Sequence, residues 1–275
     1  MSEVCDARFD SQFAGPEEYR SPERNPAAPV RLFPSWAFYL RLFAPVVRLC
    51  LRARRGECDD ASWVRESAAV ARVLESVGCA LRIEGPDRLA AVEGPCVFVA
   101  NHMSTLETFV LPCIIRPHRP VTFVVKRSLT TMPGFGHVMR SRDPIVVDRV
   151  NPRADLAAVL DGGAERLARG VSIVVFPQST RTLRFDPARF NTIGVKLARR
   201  AGVPLVPLAV KTDAWGQGRL IKDFGVIQPE LPVHFRFGEP LRVDGPGKAE
   251  HAAVCAFIGA ALEEWAAEIS QARPA

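Results

Sequence analysis

From Leu81 onward, short strand-like runs alternate with longer stretches of helical period. The strand-like runs fall at 81–85, 96–100, 121–125, 144–148, 171–176, 205–210 and 233–237. Runs of this length, rich in valine and isoleucine, read as buried strands. The helical stretches fall at 105–115, 129–140, 153–169, 190–201 and 249–269. Pro152 before and Gly170 after mark the ends of the 153–169 helix, although Gly162-Gly163 weakens its middle. Gly202 closes the 190–201 helix in the same way. Alternation of this kind predicts an α/β fold with a mixed, largely parallel sheet of about seven strands flanked by helices.

Upstream, residues 31–56 have another character. They carry Arg31, Arg41, Arg48, Arg52, Arg54 and Arg55 and no acid. Arg41, Arg48, Arg52 and Arg55 are spaced by seven, four and three, which places them on one helical stripe. The remaining faces are apolar, with Trp36, Phe38 and Phe43 among the aromatics, and Pro45 would kink the helix. Such a helix suits a membrane interface, with Trp36, Phe38 and Phe43 in the lipid and Arg48, Arg52 and Arg55 at anionic head groups. The bland alternative is a helix packed on the protein's own core with a solvated arginine edge. A second helix, about Ala61 to Val77, follows Asp59-Asp60. The expected organisation is a loosely ordered arm over 1–30, a helical hairpin over 31–78 and an α/β domain over 79–275. No apolar run reaches the ~18 residues of a membrane span.

The chain has 275 residues, 48% of them hydrophobic, and a net charge of +6. That mild basic bias suits acidic substrates or an anionic membrane surface. It does not suggest nucleic acid, because finger spacing, a basic heptad region and an aromatic RNA-binding motif are all missing from the sequence. The seven cysteines form no C-x-x-C. Cys79, Cys96 and Cys255 sit in apolar periodic stretches and read as core packing, which suits a reducing compartment. No metal-ligand spacing stands out.

Four strand ends carry chemistry. Asn101-His102 follows the first strongly apolar run, and Glu107 comes five residues after His102. On a continuous helix such a pair lies about 140° apart, so the two meet only across a strand-to-helix turn. There, a neutral imidazole can take a proton from a hydroxyl while the carboxylate fixes its tautomer. Phe176-Pro177-Gln178-Ser179-Thr180-Arg181-Thr182 ends another strand and offers hydroxyls and a guanidinium to an anion. An ordinary polar turn is the competing reading. Lys126 and Arg149 close two more strands, with Pro133-Gly134-Phe135-Gly136 between them. Three cations beside a histidine–carboxylate pair describe a site for a phosphorylated compound with a hydroxyl to be deprotonated. Val203-Pro204-Leu205-Val206-Pro207 reads as core strand or as a wall for an acyl chain. His118 lies in a surface-type turn, His137 and His251 in helices and His234 in a strand, and none has a comparable setting.

These blocks, in this order, resemble the glycerophospholipid acyltransferase family, most closely its 1-acylglycerol-3-phosphate acyltransferase branch. The family's N-H-x-x-x-x-D corresponds to Asn101-His102 through Glu107. Its basic residue, P-x-x-G and strand-terminal arginine correspond to Lys126, Pro133 with Gly136, and Arg149. Its F-P-E-G-T-R-S corresponds to Phe176 through Thr182, and its V-P-hydrophobic-hydrophobic-P to Val203 through Pro207. The likeness covers roughly residues 80–215.

The resemblance implies transfer of a fatty acyl group from acyl-CoA or acyl-carrier protein to a lysophospholipid hydroxyl. It implies His102 as general base, Glu107 as its orienting carboxylate, and an acceptor site formed by Lys126, Arg149, Gln178, Ser179, Thr180 and Arg181. It implies no metal or organic cofactor, and a peripheral location on the cytoplasmic face of a membrane. A lipid-binding protein with an altered core and an acyl-thioester hydrolase are the alternatives on the same fold. Two departures stand out. Glu107 replaces aspartate, so the turn must accommodate one more methylene. Gln178-Ser179 replaces Glu-Gly, which removes a charge near the acceptor site and stiffens the turn.

Overall fold

The computed structural model describes residues 9, 12–15, 18–178, 180–218 and 222–272. Eight strands form one sheet: β1 (Tyr19–Arg20), β2 (Leu81–Glu84), β3 (Val97–Ala100), β4 (Val121–Lys126), β5 (Ile145–Val147), β6 (Ser172–Val175), β7 (Leu205–Lys211) and β8 (Val233–Phe237). The helices are α1 (Ala28–Leu32), α2 (Pro34–Arg54), α3 (Asp60–Ser76), α4 (Asp87–Ala90), α5 (Leu106–Ile115), α6 (Arg127–Thr131), α7 (Phe135–Ser141), α8 (Pro152–Ala168), α9 (Ile193–Ala201) and α10 (Lys248–Ala272). Strand order is β1-β2-β8-β7-β3-β6-β4-β5. Strands β3 to β7 are mutually parallel, whereas β8 is antiparallel to β7 and β1 antiparallel to β2.

Side-chain alternation along the strands builds two cores. Phe98 and Ala100 of β3 join a cluster with α2, α3 and α5, and Val97 and Val99 join one with α8, α9 and α10. The sheet is therefore covered on both faces, as a parallel sheet requires. Gly163, expected to weaken α8, allows close packing instead: a Cβ there would come within 2.6 Å of Leu197.

The element boundaries and domain organisation are corrected at three points. The predicted 129–140 helix is two helices, because Pro133 interrupts it and Gly134 turns the chain at a φ of 74°. The arm over 1–30 is, in its described part, built into the fold. β1 pairs with β2, Phe13 packs edge-on against Tyr19 at 4.8 Å, and the buried Phe9 lies under the Arg116 guanidinium. Three aromatics in a polar stretch supply the apolar area that anchors it. The 31–78 helices, finally, share one hydrophobic core with β2, β3 and α5 rather than standing apart from the α/β domain.

Helix α2 carries two apolar stripes. Phe38, Leu42, Leu49 and Ala53 enter the core with Pro45. Trp36, Leu40, Phe43 and Leu51 lie on the opposite side and are exposed, Trp36 by 74% and Phe43 by 70%. Phe38 is thus corrected from the interface to the core. It is 0% exposed and sits edge-on to Trp215 at 4.9 Å. Residues two apart on a helix point about 200° apart, so Trp36 and Phe38 cannot share a face. Arg48 reaches across to Glu66 of α3 at 2.7 Å, while Arg52 and Arg55 are exposed. Among the described residues, no helix is long and apolar enough to cross a membrane.

Candidate active site

Parallel strands β3 and β6 are neighbours whose onward connections diverge. β3 leads through α5 to β4 on one side, and β6 leads through α9 to β7 on the other. Such a switch point opens a crevice at the carboxyl ends of the strands. The first and third sequence blocks emerge there side by side.

Asn101 closes the end of β3 onto β7. Its Nδ2 donates to the Val210 carbonyl at 2.7 Å, and the Val210 N–H donates to its Oδ1 at 2.8 Å. His102 follows, with Nδ1 2.7 Å from Glu107 Oε1 and its ring stacked on Phe176 at 4.4 Å. The expected turn is present, and the extra methylene of Glu107 is accommodated. Its carboxylate folds back over the start of α5 to accept the Met103 N–H at 2.7 Å, the Ser104 N–H at 3.1 Å and the Ser104 hydroxyl at 3.1 Å. Ser104 Oγ in turn accepts the Leu106 N–H at 3.0 Å. The pattern is close to a capping box, whose sequence signature Ser104-x-x-Glu107 carries, but the hydroxyl takes the Leu106 N–H in place of that of Glu107. On the far side, Thr212 just past β7 donates its hydroxyl to Glu107 Oε2 at 2.6 Å.

Glu107 is fully buried, and burial alone would raise its pKa. The hydrogen bond and charge of His102, the Thr212 hydroxyl and the backbone donors outweigh that and hold it below the usual carboxylate range. An ionised Glu107 requires a proton on Nδ1 of His102. In the neutral ring, Nε2 is then the basic nitrogen. The histidine is 14% exposed, enough to be reached. Two other histidines make poor bases, since burial lowers the pKa of His118 to about 4 and that of His234 to about 3. His118, read as part of a surface turn, has an Nε2 that is buried without a partner.

The third block is tied to the first. Gln178 is buried, and its Oε1 accepts the His102 N–H while its Nε2 donates to Thr182 Oγ1 at 2.6 Å. The Thr182 N–H donates to the His102 carbonyl at 2.9 Å. Gln178 is therefore a strut beneath the base rather than an open acceptor contact. Arg181 lies beside the dyad, its Nη1 2.5 Å from Thr105 Oγ1 and its Nη2 paired with Asp223. Thr180 is exposed, and Ser179 lies outside the described residues.

Lys126 and Arg149 are exposed at the same edge of the sheet. Counting strands from β3, they lie two and three positions away, roughly 10 and 14 Å. Arg149 has a left-handed backbone, φ 60°, held because Asp155 accepts the N–H groups of Asp148 and Arg149 at 2.9 and 2.8 Å. Strand β7 is buried at all seven positions, so the fourth block is core and not an open wall.

Sequence reasoning missed Ser104, Thr105, Thr212 and Asp223. The capping-box signature was readable for Ser104, and Thr212 is a hydroxyl at the end of a central strand. Thr105 and Asp223 meet Arg181 only through the fold.

Comparison with known proteins gives a consistent picture. A model of the family described as acyltransferase matches residues 80–211. A 1-acyl-sn-glycerol-3-phosphate acyltransferase of Pseudomonas aeruginosa is 30% identical over 210 residues, which is 76% of this chain and 77% of the relative. A 1-acyl-sn-glycerol-3-phosphate acyltransferase of Escherichia coli is 28% identical over 121 residues, 44% of this chain and 49% of the relative. The crystal structure of the 1-acyl-sn-glycerophosphate acyltransferase PlsC from Thermotoga maritima superposes with a TM-score of 0.64 at 19% identity. That superposition covers 89% of this chain and 98% of the other, and it establishes the shared fold.

Proposed function

Because this chain belongs to the acyltransferase family, we propose that it moves a fatty acyl group from a thioester to the free hydroxyl of 1-acyl-sn-glycerol-3-phosphate, in phospholipid biosynthesis. The observation that carries the reading is the complete dyad, His102 Nδ1 on a buried, ionised Glu107. His102 Nε2 takes the proton of the acceptor hydroxyl as its oxygen attacks the thioester carbonyl. Glu107 stabilises the imidazolium that forms. The tetrahedral intermediate then collapses, the C–S bond breaks, and the departing thiolate recovers the proton from His102. The reaction calls for no metal or organic cofactor, and acyl-CoA or acyl-carrier protein enters as co-substrate. Arg181 is the cation for the acceptor phosphate, with Lys126 and Arg149 extending the positive edge.

Incubating the protein with acyl-CoA and a panel of lysolipids, with products identified by mass, tests this reading. The expected result is a diacyl product from 1-acyl-sn-glycerol-3-phosphate in preference to lysolipids without a terminal phosphate. Turnover of every acceptor except that one would sink the substrate assignment.

The exposed stripe of α2 supports a peripheral position on the cytoplasmic face of a membrane. Trp36, Leu40 and Phe43, with Leu32 and Phe33 before them, place large apolar side chains in solvent on one side. Phe224 and Val226 are also exposed on a segment joined to α2, where the Tyr39 hydroxyl donates to the Gly225 carbonyl at 2.5 Å. Changing Trp36 and Phe43 together to serine should lower partitioning onto phosphatidylglycerol-containing vesicles by at least about tenfold, since each buried aromatic contributes about 1.5–3 kcal/mol. Unchanged co-sedimentation would assign vesicle binding to another surface.

A further inference from the structure

Arg181 has an internal anion on its guanidinium. Its Nη2 pairs with Asp223 Oδ1, and its Nη1 donates to the Thr105 hydroxyl at 2.5 Å. That hydroxyl in turn donates to Asp223 Oδ1 at 3.0 Å, closing a triangle at the N-cap of α5, three residues after the base. All three side chains are partly exposed, so solvent and ligand can reach them. The carboxylate comes from outside the third block, which has the neutral Gln178 where the family pattern has glutamate. Asp223 is itself anchored by its backbone: the Trp215 indole donates to its carbonyl at 3.1 Å.

We propose that Asp223 is a specificity-determining residue, a built-in anion that an acceptor must displace from Arg181. The inference rests on reading Arg181 as the acceptor's phosphate site. A carboxylate offers one negative charge. A phosphate monoester carries between one and two at neutral pH and presents three oxygens. It can exchange with Asp223 on the fork of Arg181. A head group without net charge cannot, because it leaves Arg181 neutralised and meets a carboxylate at the mouth of the site. Discrimination thus comes from a repulsive element as well as an attractive one. Thr105 keeps one guanidinium nitrogen in place during the exchange.

Glycerol 3-phosphate is the probe that separates this proposal from turnover. It is titrated into the full chain while indole fluorescence is followed, with Trp215→Phe as the control that assigns the signal. Asp223→Asn should lower the half-saturating concentration about two- to fivefold, the range expected for removing one competing charge from a partly exposed pair. Asp223→Ser should shift it in the same direction, and Arg181→Ala should abolish saturation. With 1-acyl-sn-glycerol-3-phosphate as acceptor, the gain from Asp223→Asn appears in the acceptor KM rather than in kcat. Binding by Asp223→Asn and Asp223→Ser that is equal to or weaker than the parent's would overturn the proposal. Tighter binding together with a parent that turns over no phosphorylated acceptor would retain the anion gate and remove the substrate reading instead.

Discussion

Replacing His102 with alanine should lower acyl transfer by about 10³- to 10⁴-fold and leave the fold intact. The size follows from the loss of a positioned general base, which contributes about 10²–10⁴, combined with a hydroxyl nucleophile that has no other proton acceptor in the dyad. The fold should persist because the ring is partly exposed and packs mainly on Phe176. The backbone of His102 is held independently, by Gln178 on its N–H and Thr182 on its carbonyl. A melting temperature within a few degrees of the parent, with transfer near background, is the expected pair of results. Substantial residual turnover would place the base elsewhere.

Glu107→Gln should be nearly as costly to catalysis and more costly to the fold. The carboxylate accepts from five donors: the Met103 and Ser104 N–H groups, the hydroxyls of Ser104 and Thr212, and His102 Nδ1. An amide removes the charge those donors share and brings an NH₂ into the set, so the Ser104 and Thr212 hydroxyls must both turn round to accept from it in a buried site. The expected loss of stability is about 2–4 kcal/mol. Catalysis should fall about 10²- to 10⁴-fold, because the imidazolium loses its counter-charge and the ring its fixed tautomer. The pH dependence gives a separate readout. The folded-state pKa of Glu107 is depressed, so its contribution to stability is fully present above the unfolded value of 4.5 and is lost as pH falls through the lower folded value. Glu107→Gln removes that acid-dependent part, and melting measured below pH 4.5 should show a flatter profile than the parent. Parent-like activity in this variant would end the dyad assignment.

What was legible in the sequence follows from the range of each interaction. The seven strands with three or more residues were visible for two reasons: β3, β6 and β7 are buried on both faces and read as apolar runs, whereas β2 and β8 alternate, as in Leu81-Arg82-Ile83-Glu84 and Val233-His234-Phe235-Arg236-Phe237. β1 was not, since two residues pairing at an edge carry no period. The break between α6 and α7 is written in Pro133-Gly134, but the helical period on either side masks it and suggests one long helix. On α2 the arginine stripe was readable, yet grouping the aromatics by proximity puts Phe38 with Trp36, and helix geometry separates them. At the site, His102, Glu107, Gln178 and Arg181 could be singled out because each terminates or follows a strand. Their arrangement depends on contacts far apart in sequence. Thr212 is 105 residues from Glu107, and Asp223 is 42 from Arg181. No local pattern encodes such pairs; the switch point between β3 and β6 brings them together. Gln178 shows the limit most clearly. As a sequence departure it suggests altered acceptor contacts, and in the fold it supports the backbone of the base.

In the proposed mechanism the His102–Glu107 dyad activates an acceptor hydroxyl against a thioester. Thiol release from acyl-CoA, followed with and without 1-acyl-sn-glycerol-3-phosphate, tests it most directly. Release should depend on the acceptor, match diacyl product mole for mole, and be lost in His102→Ala. Equal release without acceptor, or none with any acceptor, would contradict it.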